Sequence, residues 1–366
     1  AADGRGPPAQ ATLDRLRRAI GPFVLRRTKA DKAIVADLPD KLELTHAVAL
    51  TPAQRRLYAA VLEWGLTCPR AVASDTAEAE AAAGEAEIVV SSGSKVETAS
   101  TDSKLVRRNR VLALMHGLQQ VCNHPAALLE HRWPAHDGAA ADLDRALPEF
   151  AAKAENSGKT ARLMELLAEI LEPPREKVLI FTQYVATLEL LAVLVEATFA
   201  GIRAVRFHGA LSRQEREAAV ENFSNEPASA VMLLTLQAGG VGITLTAATH
   251  VVHFDRCWNP AKEAQATDRA HRIGQRSTVV VHRLLTADTL EERLAVVVSR
   301  KRKLAAAVVP EPVDGALKVA ECSDAELREL FRLGAGGGGD GYPRVREERP
   351  GAVGSVGGGA VDPAGM

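Results

Sequence analysis

Between residues 159 and 304, short apolar runs alternate with longer amphipathic stretches. Lys177–Thr182 reads K-V-L-I-F-T, and R-A-V-R-F (203–207), A-V-M-L-L-T (230–235), T-H-V-V-H-F-D (249–255) and T-V-V-V-H-R-L-L (278–285) repeat the theme. Each run is rich in β-branched residues or Leu and too short for a helix, which predicts strands. Residues 186–198, 212–223 and 260–273 have helical spacing between them. Ser212, with Glu215 three positions on, forms a predicted capping box. Strand–helix alternation of this kind predicts an α/β fold with a parallel sheet covered on both faces. Residues 13–129 read as mostly helical with basic clusters. The most apolar window, 178–202, holds Gln183, Glu189 and Glu196, so it reads as a strand and a helix, not a membrane span.

Two stretches carry no such periodicity. Residues 68–103 are Ala, Glu, Ser and Thr with Asp75, Glu78, Glu80, Glu85 and Glu87, an expected acidic, loosely ordered insertion. Residues 334–366 combine a glycine run with Pro343, Pro350 and Pro363, and too few large apolar groups to offset the entropy of ordering.

Charge and composition narrow the function. Lys and Arg total 45 against 46 Asp and Glu, so any affinity for nucleic acid must come from local patches. Aromatics at 4% argue against a base-stacking platform for single strands. Cys68, Cys122, Cys257 and Cys322 form no C-x-x-C pair, which leaves no zinc knuckle or disulfide framework and fits a reducing compartment. The polar start of the chain is unlike a signal peptide, and the chain lacks an initiator Met, as a fragment would.

Three motifs bear on phosphate chemistry. Gly158-Lys159-Thr160 ends like a phosphate loop, but the Gly required five positions before Gly158 is Lys153, so a Walker A is rejected and Ser157 is read as a helix cap. A dinucleotide fingerprint at Gly240 and Gly242 would need Gly at 245, which is Leu245. Even so, glycines after the strand at 230–235 allow close approach of backbone to a ligand. Third, Gln265, Arg269 and Arg272 stand at i, i+4 and i+7, on one face if the segment is helical. Two guanidiniums on one face suit a polyphosphate.

The segment that holds them, Q-A-T-D-R-A-H-R-I-G-Q (265–275), resembles motif six of the SWI/SNF-type ATPases of helicase superfamily two. K-V-L-I-F-T-Q-Y (177–184) is similar to motif four, and Phe207-His208-Gly209 with Arg213 and Arg216 to the element after it. Residues 235–245, continuing to His253-Phe254-Asp255 and Trp258-Asn259-Pro260, are similar to motif five and its extension. P-F-V-L-R-R-T-K (22–29), L-P-D-K (38–41), residues 50–58 and Q-V-C-N-H-P (120–125) follow the family's inter-lobe order. T-L-E-E-R (289–293) and R-K-R-K (300–303) resemble its closing helix.

The resemblance implies a RecA-like parallel-sheet lobe, the helicase C-terminal domain, with a mostly helical inter-lobe region. It divides the chain into the end of a first lobe and the start of the inter-lobe region (1–67), the acidic insertion (68–103), further inter-lobe helix (104–150), the RecA-like lobe (151–309), a brace helix (310–333) and the tail (334–366). By the same resemblance Arg269 and Arg272 are arginine fingers, while Gln265, Gly242 and Thr244 line the nucleotide. Thr182, Gln183, His208, Gly209 and Thr235 would contact the DNA backbone. ATP and Mg²⁺ are the implied cofactors, held mainly by the first lobe, with no metal bound by this chain's own ligands. The implied partners are double-stranded DNA without sequence preference, a first RecA-like lobe and a DNA-bound protein to be displaced; no membrane is implied. A bacterial protein of this kind would be cytoplasmic and nucleoid-associated, a eukaryotic one nuclear.

The sequence contains no G-x-x-x-x-G-K-[ST] and no D-E-x-H box. It is therefore expected to be the carboxyl-terminal half of a DNA-dependent ATPase, inactive alone. The alternative is a truncated, non-catalytic module that binds DNA or protein.

Overall fold

The computed structural model describes residues 38–67, 98–128, 153–172, 176–240, 242–293, 295 and 323–334. The basic cluster at 26–29, nearly all of the acidic stretch, the R-K-R-K segment and the tail beyond 334 lie outside the described residues. Six strands form one sheet: β1 (Lys41–Val48), β2 (Lys177–Thr182), β3 (Ala204–Phe207), β4 (Ala230–Thr235), β5 (His250–His253) and β6 (Val279–Thr286). Their order is β1-β6-β5-β2-β4-β3, and every pairing is parallel.

The helices are α1 (Pro52–Thr67), α2 (Thr98–Asn123), the short α3 (Pro125–Leu128), α4 (Gly158–Leu171), α5 (Val185–Thr198), α6 (Arg213–Asn225), α7 (Pro260–Thr267) and α8 (Asp324–Phe331). Successive residues of the central strands point to opposite faces, and both faces are buried. Val178, Ile180, Leu233 and Val252 pack against Leu163 and Leu167 of α4 and Leu188, Leu191 and Val195 of α5. Leu179, Phe181, Met232, Leu234 and Val251 pack on the other side with Phe223 of α6 and Ala266 of α7. That explains why these strands read as continuous apolar runs.

A third core is helical. Leu57, Tyr58 and Val61 of α1 meet Val111, Leu114 and Leu118 of α2, and Leu327 and Phe331 of α8 close it. Asp324, at the start of α8, is gripped by Arg107 at 3.0 Å and Arg110 at 2.9 Å. Two arginines of the R-R-N-R segment (107–110) thus serve an internal clamp.

Three local features differ from expectation. Residues 41–48, read from the sequence as part of a mostly helical region, form the edge strand β1, paired along its length with β6. Helix α2 begins at Thr98, inside the stretch assigned to the acidic insertion. The helix expected over 260–273 ends at Thr267, and the chain turns from Asp268 onward. The predicted capping box is present: Ser212 Oγ accepts from Glu215 N, and the Glu215 side chain accepts from Ser212 N.

Candidate functional site

The two segments expected at the nucleotide lie together. Residues 242–249 lead from the 3-10 turn after β4 to β5, and residues 268–278 lead from α7 to β6. Leu245 N donates to Arg269 O at 3.0 Å, and Arg272 Nη1 donates to Thr244 Oγ1 at 3.2 Å. Arg272 and Gly242 are exposed, and a Cβ built on Gly242 would meet nothing within 4 Å, so the space beside them is open. Gln265 stands exposed on α7. Because the helix stops at Thr267, the expected single face of Gln265, Arg269 and Arg272 does not form: Arg269 turns inward to 9% exposure, and Arg272 projects.

The turn that redirects them is tied off by Gln275, whose Nε2 donates to Ala248 O (2.9 Å) and Ala270 O (3.2 Å). Its Oε1 accepts from Arg276 N and Ser277 N. Gly274 sits at φ +100°, a conformation that favours glycine.

The residues expected at DNA occupy the carboxyl ends of three adjacent strands, β2, β4 and β3. Thr182 and Thr235 are register partners across β2 and β4, while His208 and Gly209 follow β3. His208 is largely buried, with Glu189 3.9 Å from its Nε2, and Gly209 is exposed and gives its carbonyl to Arg216 Nη2 at 2.7 Å. Thr235 is nearly buried, its Oγ1 accepting from Ala238 N. The Thr182 hydroxyl differs from expectation. It is fully buried, donates to Asp255 Oδ2 at 2.5 Å and accepts from Tyr184 N, so it is spent inside the protein and not offered to a phosphate. Gln183 is half-buried: its N–H is held by Asp255 and its Nε2 donates to Arg256 O.

Behind these loops lies a buried polar network to which the sequence alone assigned no role. Asp255 accepts from Thr182 Oγ1, Gln183 N and Asn123 Nδ2; Asn123 Oδ1 accepts from Lys159 Nζ at 3.0 Å. Lys159 also bonds Glu291 Oε1 at 2.5 Å, and Glu291 Oε2 accepts from Thr286 N. Burial pushes the Asp255 carboxyl up, against the pull of Lys159 and of its three donors. A second cluster, Arg256 and Arg283 around Glu263, reaches Glu43 on β1, 2.7 Å from Arg283.

The G-K-T triplet is thereby explained without a nucleotide. A Cβ at Gly158 would stand 2.1 Å from Ala49 O, Lys159 is enclosed in its ion pair, and Thr160 Oγ1 donates to Ala154 O. Ser157 sits at the N-cap position of α4, but its hydroxyl donates to Asn123 O and makes no capping bond.

His253, His271 and His282 are all buried. His253 Nε2 meets Thr267 Oγ1, His271 Nε2 donates to Pro39 O, and His282 sits between His46 and His250 at 3.0 and 3.1 Å. Among the described residues, no group of three or more His, Cys, Asp or Glu is placed to hold a metal ion, and no helix is long and apolar enough to cross a membrane.

Comparison with known proteins gives two family matches: the helicase conserved C-terminal domain over residues 158–274 and the SNF2-related domain over residues 8–127. A putative ATP-dependent helicase/translocase of Bacillus subtilis, YwqA, is 33% identical over 324 residues, covering 88% of this chain and 29% of its own length. The chain thus spans under a third of that relative. The Sulfolobus solfataricus SWI2/SNF2 ATPase core domain is 32% identical with a TM-score of 0.58, covering 88% of this chain and 55% of that one. The same core in complex with double-stranded DNA is 31% identical with a TM-score of 0.55, covering 88% and 56%. In both motif order and the parallel sheet that carries the motifs, the chain belongs to the SNF2, or SWI/SNF-type, family of helicase-related ATPases.

Proposed function

We propose that this chain is the second motor lobe of an ATP-dependent translocase on double-stranded DNA, acting on proteins bound there. The observation that carries the reading is the junction of the two loops at Thr244 and Arg272, which leaves a guanidinium exposed beside open space at Gly242. Arg272 is the outer arginine finger and Arg269 the inner one, directed at the γ-phosphate of a nucleotide held chiefly by a first lobe. Arg is always charged and bidentate, so it stabilises the charge that develops on a transferring phosphoryl group. Gly242, Thr244 and Gln265 line the nucleotide's near side. Binding of ATP would close the two lobes, and cleavage of its phosphoanhydride would reopen them. The exposed Arg272 guanidinium and the open backbone at Gly242 suit the phosphates and sugar; among the described residues no carboxylate cluster stands ready for Mg²⁺, which on this reading belongs with the first lobe.

On the DNA side, Gln183, His208, Gly209 and Thr235 approach backbone phosphates through amide, imidazole and hydroxyl groups. Thr182 acts from behind, through Asp255. Such contacts set position and not sequence. The test is Arg272→Ala in a protein carrying both lobes: DNA-stimulated ATP hydrolysis falls about 10³-fold, the scale of an arginine finger. Full activity in that variant would overturn the assignment. The 366-residue chain alone, which has no phosphate loop in its sequence, hydrolyses no ATP above background.

A further inference from the structure

Helix α2 has two faces of different chemistry. Val111, Leu114, Leu118 and Val121 face the helical core. His116, Gln119 and Asn123, spaced i, i+3 and i+7, form a polar stripe along one side. Each member of the stripe meets a matched partner at the carboxyl end of β2 or just after β5. Tyr184 Oη donates to Gln119 Oε1 at 2.8 Å, which makes His116 Nδ1 the donor to Tyr184 Oη, 2.9 Å away. Gln119 Nε2 donates to Arg256 O at 3.1 Å, the carbonyl that also holds Gln183 Nε2 at 2.9 Å. Asn123 Nδ2 donates to Asp255 Oδ2 at 3.0 Å, and Asp255 in turn holds Thr182 Oγ1 and Gln183 N.

An apolar seam would hold α2 against the sheet without fixing its rotation. Hydrogen bonds are directional, and rotating α2 by one residue would break all three sets at once. We infer that the polar stripe of α2, with Asn123 and its partner Asp255 at its end, is the positioning device that sets the conformation of Gln183 at the tip of β2. Helix α2 therefore acts as a keyed shaft: its orientation and that of the β2 tip are one variable. The inference rests on the proposal that this tip faces DNA, because only then does its conformation control binding.

The experiment uses the 366-residue chain, with two readouts: amide exchange at Gln183 and the Kd for a short duplex at fixed salt. Asp255→Asn leaves one neutral oxygen and an amide donor where two carboxylate oxygens accept from Asn123, Thr182 and Gln183, and Asn123→Asp sets a carboxylate against a carboxylate. Combined, the two reverse the direction of the bond and restore its complementarity, with Asp at 123 also facing Lys159. Each single variant is expected to speed Gln183 exchange and weaken duplex binding about tenfold, as befits a lost charge-assisted bond. The double variant is expected to return both to within about threefold of the parent, a factor worth less than 1 kcal/mol.

Gln119→Leu, outside the ionic network, leaves the hydroxyl of the half-buried Tyr184 without its acceptor, so it lowers Tm modestly, weakens duplex binding, and serves if a charged-site variant fails to fold. The inference is overturned if the single variants keep parental exchange and affinity, if the double variant is no better than the weaker single, or if Gln119→Leu binds duplex as the parent does. Should the parent chain bind no duplex while Gln183 exchange responds as expected, the positioning stands and the DNA reading fails.

Discussion

The tip of β2, proposed to face DNA, and the loops proposed to face the nucleotide are held in opposite ways. At the tip, Thr182, Asp255, Asn123, Lys159 and Glu291 form a fully buried chain of hydrogen bonds that ends on the backbone of Thr286. On the nucleotide side, the exposed Arg272 makes a 3.2 Å bond to Thr244 beside a glycine with nothing near its Cβ position. Water screens the charge of the exposed guanidinium, so a bond of that kind contributes about 1 kcal/mol or less, whereas removing one partner of a buried ion pair costs about 3–5 kcal/mol. The difference separates a part that must keep its shape from a part free to move when a ligand offers better contacts.

The comparison is sharpest in Arg272→Ala. In a protein with both lobes it lowers DNA-stimulated ATPase by about 10³-fold. Because the side chain is exposed, thermal unfolding should be unchanged within about 0.5 kcal/mol. A large fall in Tm alongside lost activity would mean that the loop is a structural element and not a mobile one.

Lys159→Met should show the reverse pattern. Both charged groups of the Lys159–Glu291 pair are at 0% side-chain exposure. Leaving Glu291 buried without its cation costs about 3–5 kcal/mol, read as a shift in the urea midpoint. Lys159→Met combined with Glu291→Leu recovers much of that loss, because an apolar pair of similar volume avoids the desolvation penalty. If the single variant is as stable as the parent, the tip is not held as rigidly as its bonding implies.

How far the sequence shows these two regions depends on the range of the interactions that build them. The strands K-V-L-I-F-T and A-V-M-L-L-T were legible because burial on both faces imposes an apolar run, and the Ser212–Glu215 cap because its partners are three residues apart. β1 was missed although K-L-E-L-T-H-A-V alternates, since it pairs with β6, more than 200 residues away. The break after Thr267 was missed because Gln275 makes it by reaching back to Ala248. Rejecting the phosphate loop needed only the spacing, but what Lys159 does instead needed Asn123 and Glu291, separated from it by 36 and 132 residues. For the nucleotide and DNA residues the signal was resemblance, which brought in Thr182 as a phosphate contact and gave Asp255, beside it in space, no role.

Acid should act on the buried sheet that carries both regions, where two histidines are held neutral. Burial pushes His253 down to about 4, against Glu263, and His282 down to about 3, with repulsion from His250, His46 and Arg162 added. Below the ordinary value of 6.5 the unfolded chain takes up protons that the folded one refuses. Stability is therefore full above about pH 6.5 and falls as pH drops toward 4 and 3, by about 1.4 kcal/mol per pH unit for each histidine. Glu43 adds a later step. Burial pushes it up, but the hydrogen bond and charge of Arg283, with Lys41, outweigh this and hold it at about 2. Its contribution is present above pH 4.5 and lost as pH falls toward 2. Urea midpoints from pH 8 to 4 check the sign, and His282→Asn should flatten the slope by one proton; a midpoint that rises on acidification would refute the assignment.

The smallest effect belongs to the clamp on α8, which is bonded like the rigid tip but lies in solvent. Asp324 has 43% side-chain exposure, and Arg107 and Arg110 have 35% and 17%. Water and salt screen such charges, so Asp324→Asn should cost about 0.2–1 kcal/mol. The loss should shrink further in about 1 M salt, where the Debye length of about 3 Å has come down to the length of the contacts themselves. Phe331→Ala, in the apolar contact of the same helix, should instead cost about 3–5 kcal/mol at any salt concentration. The pair of measurements asks whether α8 is held by charge or by packing. A salt-independent loss above 2 kcal/mol from Asp324→Asn would move the clamp into the class of the buried pair and leave burial, not the number of bonds, without its expected role in setting rigidity.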